Sequence, residues 1–345
     1  MRFRGVLIGC GFFAQNHMHA WAGLEGADIV AVCDSDAGRA LAMARRFGIA
    51  RHYSDAETAL RAEAPDFVDI VTTAPSHPAL VALAALHARL VICQKPMAET
   101  QADAAAMVAS CAAAGSHLLI HENFRWQRPF REIAARMPDI GPVHFARFSF
   151  RHGYDNYVNQ PYLAEIERFT IMDVGLHLFD LARHLIGDVR AISCETQRLN
   201  PRVKGEDSFT ALLRHDAGAV SVVDCSFWSR LVPHRFPQTL AEIEGARGTL
   251  VLGEDYRLTV HLAEERQTFD VAPPVPAWGE VPWHVIQDSV IAVQAHAVEV
   301  LAGRSAPQPS GAHNLATLSL GLAAYEAAET GRIVSMHGWR EATSP

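Results

Sequence analysis

A chain of 345 residues has room for about two domains of ordinary size. With 49% hydrophobic and 20% charged residues it has the composition of a globular protein that buries a sizeable core. A net charge of -8 argues against a protein living on nucleic acid or anionic lipid, and no apolar run approaches the roughly 18–20 residues that span a bilayer. No leader-like pattern of charged, apolar and small residues opens the sequence. Six cysteines, none in a CxxC pair, read as reduced thiols of a cytoplasmic protein. Eighteen histidines lack zinc-site spacing, so no metal is expected.

In chain order, 3–8 reads as an apolar strand and 13–24 as a helix. Strand 29–33 is followed by helix 37–47, which Gly48 can close in a left-handed conformation. Strand 67–72 runs into the breaker-rich loop 74–78. An alanine-rich helix, strand 90–93, a second alanine-rich helix ending near Gly115 and strand 117–121 follow. This alternation of continuous apolar strands with helices predicts a parallel sheet covered on both faces. After about residue 123 the pattern changes. Strands are expected at 143–151, 189–198, 209–214, 219–227, 240–244 and 249–252, with Asp216-Ala217-Gly218 as a hairpin turn. Helices at about 172–186, 283–303 and 314–330 are expected to cover one face of this largely antiparallel sheet. The bare face predicts an oligomer, a homodimer or homotetramer. The expected domains are 1–122 for cofactor binding and 123–345 for substrate binding and oligomerisation.

Gly9, Gly11 and Ala14 form a G-x-G-x-x-A turn between the first strand and the first helix, with Phe12 and Phe13 inside it. That context is the one a dinucleotide pyrophosphate requires. Gly9 permits the tight turn, Gly11 a close backbone approach, and Ala14 close packing of helix on strand. The helix start then offers N–H groups to phosphate oxygens. Asp34 ends the second strand, where a carboxylate can accept bonds from ribose hydroxyls or cap the next helix. A 2′-phosphate there would face Asp34 and Asp36 at a cost of roughly 1–4 kcal/mol per charge pair, so NAD is favoured over NADP.

Lys95, in Gln94-Lys95-Pro96, stands at the carboxyl end of a parallel strand, the edge where ligands bind. There it can stabilise developing alkoxide charge. Asp173 and His177, four apart on a helical segment, can address one site together. Histidine suits removal of an alcohol proton as hydride leaves. A capping role for Asp173 and a packing role for His177 are the plain alternatives. Gly175 between them permits close approach of substrate or backbone.

Together these residues resemble the Gfo/Idh/MocA family, that of glucose–fructose oxidoreductase and inositol 2-dehydrogenase. The likeness runs from the Gly9 turn through Ala74-Pro75-Ser76-His77, Lys95-Pro96, Asn123-Phe124-Arg125 and Asp173…His177 to Ala323-Ala324-Tyr325-Glu326-Ala327. It implies an α/β protein with an N-terminal Rossmann domain and a C-terminal α/β domain bearing an open, largely antiparallel sheet for oligomerisation. It also implies catalytic roles for Lys95, Asp173 and His177, the last as general base. Gly9, Gly11, Phe12, Phe13, Ala14, Asp34, Thr73, Pro75, His77, Gln94 and Lys95 fall at cofactor positions. One departure stands out: Gln94 replaces the family's glutamate. Its loss removes one stabiliser of the Lys95 ammonium, so Gln94→Glu is expected to retain activity with a moved pH profile.

The implied activity is NAD-dependent oxidation of a sugar or cyclic polyol hydroxyl, aldose to lactone or cyclitol to ketone. The alternative within the family is a glycosidase that uses NAD transiently. Asn123, Arg125, Trp126, Arg151, His152 and Tyr154, with Lys95, Asp173 and His177, are the candidate substrate residues, aromatic and polar groups suited to a polyol. The stretches 12–17 and 121–126 resemble aldose dehydrogenases for pentoses, apiose in particular.

Overall fold

The run FRGVLI cannot satisfy both its backbone and its apolar side chains except between two strands, and it forms β1 (Phe3–Ile8) at the middle of a parallel sheet. The computed structural model describes residues 2–158, 160–233 and 236–341. Around β1 the chain winds α1 (Ala14–Gly23), β2 (Ala27–Cys33), α2 (Ala37–Phe47), β3 (Arg51–Tyr53), α3 (Ala56–Glu63), β4 (Phe67–Ile70), α4 (His77–Ala85), β5 (Leu90–Gln94), α5 (Gln101–Ala114) and β6 (His117–His121). The sheet order β3-β2-β1-β4-β5-β6 is that of a doubly wound Rossmann domain. β4 and β5 are buried at every residue, as strands covered on both faces must be. Asp36 caps α2 by accepting from the N–H groups of Gly38 and Arg39, and Gly48 closes it at φ 68°.

The second sheet is built differently. After α6 (Arg128–Ile140) come β7 (Val143–Arg151), a π-helical turn at Ile171–Gly175, α7 (Leu176–Ile186), β8 (Val189–Gln197), β9 (Ser208–His215), β10 (Val220–Ser226), β11 (Leu240–Gly245), β12 (Gly248–Leu252), β13 (Arg257–Leu262) and β14 (Glu265–Asp270). Helices α8 (His284–Leu301) and α9 (Gly311–Thr330), strand β15 (Val334–Ser335) and α10 (Met336–Glu341) complete the described chain. The strands order as β14-β13-β12-β11-β7-β10-β9-β8-β15; β7 and β10 pair parallel and their other neighbours antiparallel. From Phe209 onward burial alternates along β9, with Phe209, Ala211 and Leu213 inside and Thr210, Leu212 and Arg214 exposed. One face is therefore core and the other open. α6 packs on β12 and β13, and α7 on β7 and β10.

Two expectations are corrected. Helix 283–303 does not cover the second sheet. It is α8, and its Val293, Ala297, Val300 and Leu301 join the core of the Rossmann sheet with Leu7, Met18, Trp21 and Phe67. The boundary near 122 changes with it. One compact unit comprises the chain to Trp126 together with Val275–Ala316; the other comprises Gln127–Pro274 and the chain from Thr317. An apolar helix declares that it must be buried, not against which sheet. The turn before α7 is also π rather than α, with the Leu176 N–H reaching the Ile171 carbonyl.

Candidate active site

The glycine turn is held at both ends. The Gly9 N–H donates to the Cys33 carbonyl at 2.7 Å, and the Cys10 N–H donates to Asp34 Oδ2 at 2.7 Å. Gly9 sits at φ 98°, where a Cβ would meet the Val71 carbonyl oxygen at 2.5 Å, so no other residue fits. Gly11 has nothing within 4 Å of its would-be Cβ, which leaves its outer side open to a phosphate. No side chain caps the start of α1, so its first N–H groups are left for an anion. Asp34 Oδ1 also accepts the Asp36 N–H at 2.9 Å, while Asp36 itself does the capping of α2. Each Asp34 oxygen keeps a second lone pair for a ribose hydroxyl. Phe12 stands 59% exposed beside the turn, Phe13 packs edge-on to His17, and Ala14 is fully buried. These residues fit a dinucleotide cradle. The six cysteines are free and buried, and burial raises Cys10 to about 12, so this thiol is inert.

Lys95 follows β5 in a loop pinned from two directions. Its N–H donates to Gln94 Oε1 at 2.9 Å. His77, fully buried, sets Nδ1 3.0 Å from the Pro96 carbonyl and 3.3 Å from that of Met97, with Nε2 3.2 Å from the Thr72 carbonyl. Burial pushes its imidazole below the usual range while those carbonyls oppose the shift. His77 thus faces backbone on both ring nitrogens, whereas Thr73 and Pro75 lie exposed beside it. Asn123, Arg125 and Trp126 are engaged by the returning chain. Asn123 donates to Ser289 Oγ at 2.7 Å, Arg125 meets His313 at 3.4 Å, and Trp126 donates to the Gln308 carbonyl and stacks on His296. Asn123 and Arg125 are only 5% exposed.

In the second unit, Asp173 rides the π-helical turn, half-buried, and His177 lies one turn on in α7 at 3% exposure. Gly175 admits the Phe209 ring, which would stand 3.0 Å from an added Cβ. The turn is anchored by a carboxylate that sequence reading missed. Glu206 accepts the Phe169 N–H at 3.1 Å on Oε2, and the Ile171 N–H at 3.0 Å and Tyr325 hydroxyl at 2.8 Å on Oε1. Arg168 lies over the Tyr325 ring. Burial, then the Glu206 charge, drives the Tyr325 phenol far up, so it remains a donor.

His152, just past β7, packs its ring against Phe150 and Phe227 at 4% exposure. Burial lowers it to about 4, with the Tyr154 main chain and Asp173 opposing, so it is neutral at working pH. Among the described residues neither ring nitrogen finds a hydrogen-bond partner of good geometry. Arg151, the last residue of β7, is exposed, whereas His152 beyond the strand is buried. Arg151 is exposed on the open face and, with Arg147 and Ser149, holds Asp224. Tyr154 packs edge-on to Phe236. The structure brings Asp173 near His152 but sends Arg151 elsewhere. The neighbours of Asp69 also went unread: His17 Nδ1 at 2.9 Å and Trp21 Nε1 at 2.7 Å.

Comparison with known proteins identifies the family of the chain. Residues 3–122 match the family described as oxidoreductase family, NAD-binding Rossmann fold, and residues 134–251 match the GFO/IDH/MocA C-terminal domain. The chain is 50% identical to a D-apiose dehydrogenase of Paraburkholderia graminis over 97% of its length and 90% of that protein's. It is 47% identical to a D-apiose dehydrogenase of Rhizobium rhizogenes over 96% and 97%. An oxidoreductase from Agrobacterium radiobacter, solved with NAD+, L-tartaric acid and magnesium, superimposes with a TM-score of 0.96 at 46% identity, covering 98% of this chain and all of that one.

Proposed function

Since this chain belongs to the Gfo/Idh/MocA oxidoreductase family and is an NAD-dependent dehydrogenase of a sugar or polyol hydroxyl, we propose that its substrate is D-apiose, oxidised at the anomeric carbon to a lactone. The similarity to two D-apiose dehydrogenases over nearly the whole of each chain carries this reading.

Gly9, Gly11, Phe12 and Asp34 would hold NAD, which when bound would supply the hydride acceptor. His177 takes the hydroxyl proton, so that the C–H bonding pair can leave carbon as oxygen forms the new carbonyl. Lys95 stabilises the alkoxide charge that develops between these events. Asp173 orients the substrate or His177, and neutral His152 offers a hydrogen bond to a second hydroxyl. His77 is assigned a positioning role for the Lys95 loop, since its ring meets only backbone carbonyls of that region.

The open face of the second sheet, bearing Arg147, Thr210, Leu212 and Arg214, is assigned to subunit contact in a homodimer or homotetramer. Light scattering of the purified protein reads that mass directly. Buried free thiols favour a cytoplasmic setting, and no described helix is long and apolar enough to cross a membrane.

The test is steady-state kinetics with D-apiose, unbranched pentoses and inositols, each with NAD and NADP. The highest kcat/KM is expected for D-apiose with NAD, and NADH should accumulate in step with product. A higher value for an inositol would replace the substrate. Product without net NADH would point to the glycosidase chemistry.

A further inference from the structure

The glutamine that departs from the family motif lies at the centre of a buried polar line. Asp69, on β4, is fully buried; its Oδ2 meets His17 Nδ1 and Trp21 Nε1, and its Oδ1 has no hydrogen-bond partner among the described residues. His17, on α1, is likewise fully buried, and its Nε2 lies 3.0 Å from Gln94 Nε2. Gln94 Nε2 also stands 3.4 Å from His121 Nδ1. The direction of every bond follows from one fact: the Lys95 N–H can only donate, so the oxygen of the Gln94 amide must face it. The amide nitrogen therefore faces the imidazoles and donates to His17 Nε2. That nitrogen must then be bare, and the single His17 proton sits on Nδ1, donated to Asp69.

We propose that His17 and Gln94 are a matched pair of positioning residues: Gln94 fixes the Nδ1–H tautomer of His17, and through it ties the Lys95 backbone to Asp69 and to the pyrophosphate-binding helix. A glutamate at 94 would bring a carboxylate oxygen against the bare His17 Nε2, acceptor to acceptor. An extra proton shared by the two groups would repair that contact, and the more basic imidazole takes it, leaving an imidazolium between two buried carboxylates. The groups facing His17 are Asp69 from β4, Gln94 from β5, His121 from β6 and the Phe13 ring, while Gln294 of α8 donates to its carbonyl. Cys93 lies close to Asp69 and burial keeps its thiol protonated. The pair thus provides a hold on Lys95 that needs no protonation event, where a glutamate–histidine pair would need one.

The inference rests on the dehydrogenase reading only for the importance of Lys95; its chemical core is the His17 tautomer, which can be read without substrate. Histidine ring 15N NMR of the intact protein, with His17→Gln identifying the resonance, should show Nδ1 protonated and Nε2 bare in the neutral ring. In Gln94→Glu both nitrogens of His17 should be protonated at neutral pH, and kcat should acquire an alkaline limb where the second proton leaves. The double variant His17→Gln/Gln94→Glu should lose that limb. His17→Gln alone should lower kcat about tenfold or more, with the NAD dissociation constant moved less than a few-fold. A wild-type His17 protonated on Nε2, or one that titrates alike in wild type and Gln94→Glu, overturns the proposal whatever the substrate.

Discussion

Lys95 stands in a pinned loop after β5, and His177 on a buried face of α7; both carry the proposed reaction. Lys95→Ala and His177→Ala should each lower kcat by roughly 10²- to 10⁴-fold with NAD binding nearly intact, measured by turnover alongside calorimetric titration. Asp34→Ala removes both the proposed ribose acceptor and the tie to the Cys10 N–H. The KM for NAD should rise, and the preference over NADP should shrink by about tenfold or more. His152 is one source of acid sensitivity. Folded, its imidazole lies at about 4, while an unfolded histidine titrates at about 6.5. Between those values the unfolded chain holds a proton that the folded one does not, so stability falls as pH falls through the window and no further below it. The span corresponds to about 3 kcal/mol. Melting curves of His152→Phe should show a flatter loss between pH 6.5 and 4 than wild type. The sequence named Lys95, Asp173 and His177 because each lies in a local motif. His17 escaped because its partners Asp69 and Gln94 are 52 and 77 positions away and only the sheet brings them together.

At the scale of elements, the π-helical turn that carries Asp173 depends on one carboxylate. Glu206 serves two main-chain N–H groups and the Tyr325 hydroxyl at once. Tyr325→Phe removes one bond to a buried charge and should cost about 1.5–3 kcal/mol in denaturant unfolding. It should also lower kcat, because the turn loosens beneath Asp173. A stability loss with unchanged kcat would confine Tyr325 to the core. Strands with alternating or continuous apolar residues, such as β1 and β9, were legible from pattern alone. β13 and β14 were not: β14 is exposed at nearly every residue and has no apolar face to announce it. α6 was hidden by Pro129 and Pro138, which lie in its first and last turns. The extra residue that makes the π turn leaves no mark in an apolar spacing that still reads as α.

At the scale of the whole molecule, the cofactor domain is assembled from two stretches of chain. α8 supplies Val293, Ala297, Val300 and Leu301 to the core that holds Leu7 and Trp21. A fragment ending at Trp126 should therefore show helix content without a cooperative thermal transition, and adding the segment 275–316 through a linker should restore one. Leu301→Ala in the full chain should cost about 2–5 kcal/mol. Sequence reading placed this helix in the wrong domain because contact partners across such a gap carry no local signal.

The same split core has a consequence during synthesis. Leu301 leaves the ribosome 175 residues after Trp126. At ordinary elongation rates the nascent Rossmann sheet waits about 10–35 s with the α8-facing side of its core in water. A newly made chain should consequently be a chaperone client for most of its translation, released when α8 emerges and docks.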